Sequence, residues 1–142
     1  MPSVLHDTLV DLFRHCPMLA LMLAGDRILG TTGRAPVVEV GDSTLSRLAP
    51  PTFEADLVLV VDPRRDRAGR SVAEGIVVVE AQLSENPLKR FSWPAYMGSA
   101  RFLWRCPVIV LVVAPDPRVA AWARQPIELG AGSVVCPVVL DP

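Results

Sequence analysis

Runs of consecutive aliphatic residues, separated by polar stretches, dominate the middle of the chain and set its predicted elements. "GIVVVEAQL" (75–83) and "PVIVLVVA" (107–114) carry apolar residues without alternation, which predicts strands buried on both faces. "ADLVLVV" (55–61) is a third apolar strand, and the polar "DPRRDRAGRSVAE" (62–74) connects it to the 75–83 run. Near the start the period changes. Val4, Leu5, Leu9, Leu12 and Phe13 recur at helical spacing while His6, Asp7, Asp11 and Arg14 take the other side, so a helix begins after Ser3, which can cap it, and breaks near Pro17. "MLALMLAG" continues as a short helix closed by Gly25. "RAPVVEVGDSTLSRLAPP" predicts one or two short strands with turns at Gly41-Asp42 and Pro50-Pro51. Beyond the third apolar run's partner, "NPLKRFSW" leads into a helix with Ser92 as cap and Pro94 in the first turn. Its face of Trp93, Met97, Ala100 and Trp104 points inward. "DPRVAAWAR" reads as a short helix and "SVVCPVVL" as a last strand or extended segment. No internal repeat or low-complexity tract interrupts the order helix, strands, helix, strand, helix, strand.

Composition narrows the class. At 142 residues, 51% hydrophobic and 20% charged, the chain suits a single globular domain over 1–142 that folds alone. A formal net charge of −1 supplies no global field for a polyanion, so a nucleic-acid contact has to come from a local patch. Cys16, Cys106 and Cys136 are widely spaced and odd in number, which predicts reduced, buried thiols in a cytoplasm. Neither a signal peptide nor an apolar stretch of about 18 residues is present in the sequence, which predicts a cytoplasmic protein with no membrane partner.

The candidate chemistry lies where the 75–83 run ends. Glu80 and Gln82 follow Val79 directly and share one face of the strand. If 62–74 joins an antiparallel hairpin, Val61 pairs with Gly75 and Asp56 falls opposite Glu80. Two facing carboxylates repel unless a cation or a proton lies between them. Mg²⁺, a hard cation suited to carboxylates, carbonyls and water, is one remedy; two acids marking strand ends that meet solvent is the other reading. The arginines at 64, 65, 67 and 70 lie at the far tip of that hairpin, on the order of 16 to 20 Å from the acids at about 3.3 Å per residue, and read as a solvated loop rather than a distal grip on a duplex.

Taken together, "ADLVLVV", "VVVEAQ", the lysine and "SWPAY" after it, and "AAWARQPIELG" resemble the PD-(D/E)XK nuclease superfamily, in its recombination-promoting nuclease and transposase branch. "HDTLVDLF" is similar to the first helix of that branch, and the likeness spans nearly the whole chain. It implies an α/β fold with a restriction-endonuclease-like core: a mixed central sheet flanked by helices in the order αβββαβ. It implies a metal-dependent nuclease hydrolysing phosphodiester bonds of DNA, with RNA and a homodimer left open. Mg²⁺ or Mn²⁺ would be held by Asp56, Glu80 and the carbonyl of Ala81, with Gln82 orienting water. Lys89, seven residues past the motif, can offer a phosphate its charge or remain a solvated lysine. Asp7 is either an outer acid or part of a solvated helix face. Trp93 and Tyr96 read as core or wall. Gln82 stands where the superfamily more often has Lys, and Ala55 precedes the Asp where its name would place Pro. Gln82 and the near-neutral charge keep open a catalytically inactive descendant acting as a nucleic-acid-binding or dimerisation module.

Overall fold

The computed structural model describes residues 4–24, 38, 40 and 54–141. The short strands expected between 34 and 51, the Ser3 cap and the Gly25 stop lie outside the described residues. The chain divides into two compact units, one containing the N-terminal helices and the other the sheet.

In the first unit, α1 (Val4–His15) and α2 (Pro17–Ala24) are separated at Cys16, as the proline predicts. Arg14 pairs with Asp11 at 2.6 Å across one turn of α1.

The second unit is built on a mixed four-stranded sheet in the order β1-β4-β5-β8. β1 (Leu57–Val61) runs antiparallel to β4 (Gly75–Ala81), with Val61 opposite Gly75 and Leu57 opposite Val79. Their connection is more ordered than a loop. β2 (Arg64–Arg65) pairs with β3 (Ser71–Val72), Arg64 opposite Val72, so the same register continues outward past Asp62, whose φ of 50° breaks the ladder. β4 crosses over through α3 (Lys89–Trp104) to β5 (Val108–Val113), which lies parallel to it. After α4 (Pro117–Arg124), β6 (Ile127–Gly130) and β7 (Ser133–Val135) form a two-stranded hairpin, and β8 (Val138–Leu140) joins β5 in parallel. The segment read as one last strand is thus two, parted at Cys136-Pro137, because proline brings no N–H to a ladder.

Pairing fixes the faces. Ile76, Val78 and Glu80 of β4 stand in line with Val110 and Val112 of β5, and all five are buried beneath Trp93 of α3 and Val119, Ala120 and Ala123 of α4. The other face carries Leu57, Leu59, Val61, Ile109 and Val113, each between 37% and 50% exposed. β4 and β5, expected to be buried on both faces, are buried mainly on the face that carries Ile76 and Val112, which belong to the same cluster as the core residues of α3 and α4. Arg90 ties the two helices together. Its guanidinium donates to the carbonyls of Trp122, Gln125 and Pro126, the last turn and exit of α4, at 2.8 to 3.2 Å. Asp116 caps the other end of α4 by accepting from the Arg118 N–H at 2.8 Å.

Candidate active site

β4 delivers its motif residues by simple alternation. After the apolar stretch ends at Val79, Glu80 keeps the side-chain direction of Ile76 and Val78 and so points into the buried layer. One rung beyond Leu57 and Val79, the antiparallel register sets Asp56 beside Glu80. The Asp56 N–H donates to Glu80 Oε1 at 3.4 Å, and the Ala81 N–H donates to Asp56 Oδ2 at 2.9 Å. On the opposite edge of β4 the Gln82 N–H donates to the Val113 carbonyl at 2.9 Å. Successive residues aim their backbone groups at alternate edges, so the Ala81 carbonyl shares the β1 edge with Asp56. Asp56, Glu80 and Ala81 are thereby gathered where β4 and β5 end and β1 begins, in the register the sequence predicts.

A buried carboxylate needs a compensating charge. Glu80 has no solvent exposure, and Lys89 answers it: the Lys89 ammonium donates to Glu80 Oε2 at 2.6 Å. The Gln82 amide lies 3.5 Å from the same oxygen. Burial works against the charge on Lys89. The hydrogen bond to Glu80 and the attraction of its charge, helped by Tyr96 and Asp56, more than offset that and hold the ammonium above the ordinary lysine value of 10.5. Lys89, Trp93 and Tyr96 stand at i, i+4 and i+7 on α3, along one face of the helix. Trp93 is fully buried, its ring 5.7 Å from that of Trp122, and its indole N–H has no hydrogen-bond partner among the described residues. The half-buried Tyr96 donates its hydroxyl to the Glu54 carbonyl at 2.9 Å, fastening the segment that leads into Asp56 to α3. Trp93 belongs to the core, and Tyr96 positions the approach to the site.

Two readings change. The α3 helix begins at Lys89, not after Ser92. Leu88 occupies the cap position without a side-chain cap, and the Asn86 side chain organises the entry by accepting the Leu88 N–H at 3.2 Å. Ser92 lies inside the helix and bonds back to the Leu88 carbonyl at 3.0 Å, which leaves Pro94 beyond the first turn. Only Cys106 is a buried thiol; Cys16 lies at the break between α1 and α2 and Cys136 between β7 and β8, both exposed. The hairpin tip is a closed turn, with Arg70 on Asp66 at 2.7 Å, Arg65 on the Gly69 carbonyl at 2.8 Å and Arg64 near Glu74 at 3.6 Å. Asp7 lies exposed on α1, in the other unit.

The Lys89–Glu80 pair carried a signal in the sequence. Lys89 is the chain's single lysine among thirteen arginines. A compact ammonium on a flexible stem fits a buried carboxylate where a planar guanidinium would need a wider space.

The site's donors, two carboxylates and a backbone carbonyl, are hard oxygens of the kind Mg²⁺ and Mn²⁺ take. Among the described residues no group of three or more His, Cys, Asp or Glu side chains comes together, so a cation here would rest on two acids and the carbonyl. Among the described residues no helix is long and apolar enough to cross a membrane. No family model, curated protein or solved structure matches the chain.

Proposed function

We propose that this chain is a metal-dependent nuclease of the PD-(D/E)XK type, hydrolysing phosphodiester bonds of DNA in a recombination or transposition setting. One observation carries the reading: Asp56 meets Glu80 in register at the carboxyl ends of parallel strands, with Ala81 bonded to Asp56 between them. The carboxyl ends of parallel strands are where open α/β sheets present their ligands. Asp56, Glu80 and the Ala81 carbonyl would hold Mg²⁺ or Mn²⁺. Bound there, the cation supplies a lowered water pKa and charge neutralisation at the phosphate. Gln82 orients a water through its amide, and Lys89 brings a positive charge that the amide at 82 lacks. The sheet beneath, closed by Trp93, keeps the acids on a rigid base.

The inactive-descendant reading draws on a different observation, the closure of Glu80 by Lys89, which makes the same residues a complete structural ion pair. Nicking of supercoiled plasmid separates the two. Wild type should nick with Mg²⁺ or Mn²⁺, stop on adding chelator, and lose activity on Glu80→Ala. A pure, folded wild type that leaves plasmid intact with both ions would refute the nuclease and favour the binding module.

A further inference from the structure

We infer that Lys89 and a divalent cation hold Glu80 in turn: the ammonium closes the site while it is metal-free and gives up the carboxylate when the cation enters. The inference rests on the reading of Asp56, Glu80 and Ala81 as metal donors. Glu80 is wholly buried, and its Oε2 faces both the Lys89 ammonium at 2.6 Å and the Gln82 amide at 3.5 Å. Among the described residues its other oxygen has only the long bond from the Asp56 N–H at 3.4 Å. A divalent cation on this carboxylate would bring like charges within a few ångströms of each other in a poorly solvated place, where they repel strongly. One of them has to leave. Lys89 is free to do so, because its side chain is 22% exposed, its four-carbon stem is flexible, and it occupies the first residue of α3, so a swing outward leaves the helix and its Arg90 clamp in place. The displaced ammonium stays beside the acids, where a scissile phosphate would come to lie.

Lys89 then weakens metal binding and assists cleavage, two effects that no other role combines. A lysine that only supports the fold would lower both on removal. A lysine that only contacts phosphate would leave metal affinity unchanged.

Calorimetric titration of Mn²⁺ into the full chain tests the exchange. Lys89→Gln should bind about tenfold more tightly than wild type, since one charge-assisted hydrogen bond no longer has to be broken. Glu80→Ala should not bind. Equal or weaker binding by Lys89→Gln, beside Glu80-dependent binding by wild type, overturns the exchange and leaves the metal site standing. Binding that survives Glu80→Ala, or no binding by wild type and Lys89→Gln, overturns both. The wild type provides a check that needs no variant, because Lys89 is the only lysine and an amine-acylating reagent can mark no other side-chain amine. Peptide mass spectrometry should show Lys89 acylated slowly without Mn²⁺ and several-fold faster at saturating Mn²⁺. An unchanged rate on Mn²⁺ addition overturns the proposal even if Lys89→Gln fails to fold.

Discussion

Two carboxylate–cation pairs of nearly equal length stand at opposite ends of one antiparallel ribbon. At the base, Glu80 meets Lys89 at 2.6 Å with side-chain exposures of 0% and 22%; at the tip, Asp66 meets Arg70 at 2.7 Å with exposures of 24% and 66%. Distance does not tell them apart, but solvent does. Water solvates both partners at the tip whether or not they touch, so their contact adds little. At the base Glu80 is closed to water and, among the described residues, no other cation is paired with it, so each partner depends on the other.

The largest expected effect is therefore at the base. Lys89→Ala leaves a wholly buried carboxylate without its cation and should cost about 3–5 kcal/mol of unfolding free energy, measured by urea denaturation in chelator. Glu80→Gln should cost less, because the lysine it abandons already borders solvent. It should nevertheless destabilise, although two facing acids considered alone would gain from losing one charge. In the double variant much of the Lys89→Ala loss should return, since no charge is left stranded. If Lys89→Ala proved no more costly than Arg70→Ala, burial would not be what separates the two ends.

The base was half legible in the sequence. Strand alternation is local and hairpin register propagates from one pair, so placing Val61 opposite Gly75 was enough to bring Asp56 to Glu80. The counter-ion was not legible by that route. Its position depends on where α3 starts, and the serine that reads as a cap lies a turn inside the helix, while the Asn86 side chain organises the true entry. The continuation of the ladder into β2 and β3 was hidden because arginine, serine and glycine there look like loop residues, and backbone pairing does not need apolar side chains. The exposure of Ile109 and Val113 was hidden too, since an aliphatic run reads the same whether one face or two are covered.

The two ends should also part company with pH, in opposite directions. Lys89 titrates above its ordinary 10.5 in the folded chain, so its contribution is fully present below 10.5 and is lost as pH rises through the folded value. Asp66 titrates below its ordinary 3.8. The Arg70 N–H it accepts is the largest cause, opposed by burial and reinforced by the Arg70 guanidinium and the Ala68 N–H. Its contribution is present above 3.8 and is lost as pH falls through the folded value. Thermal melts in chelator should show wild type losing stability on the alkaline side of 10.5 more steeply than Lys89→Ala, and below 3.8 more steeply than Asp66→Asn. Parallel curves for either pair would remove that residue from the account.

The smallest expected effect lies at the tip, where something other than the ion pair holds the turn. Asp66 Oδ1 accepts the N–H groups of Ala68 and Arg70 at 2.8 and 2.9 Å, and its own backbone exchanges bonds with Arg70 and Gly69 at 3.0 Å. Gly69, at φ +77°, supplies the left-handed step that lets the chain reverse. The aspartate thus works as a turn acceptor first and as a charge second. Arg70→Ala, which removes only the guanidinium, should melt with wild type. Asp66→Asn keeps an oxygen for the two N–H groups and should fall slightly, and Asp66→Ala, which keeps none, should fall further and speed amide exchange at Ala68 and Arg70. Should Arg70→Ala lower the melting temperature more than Asp66→Ala, the charge pair would be holding the turn, and the contrast between the two ends of the ribbon would be one of degree rather than of kind.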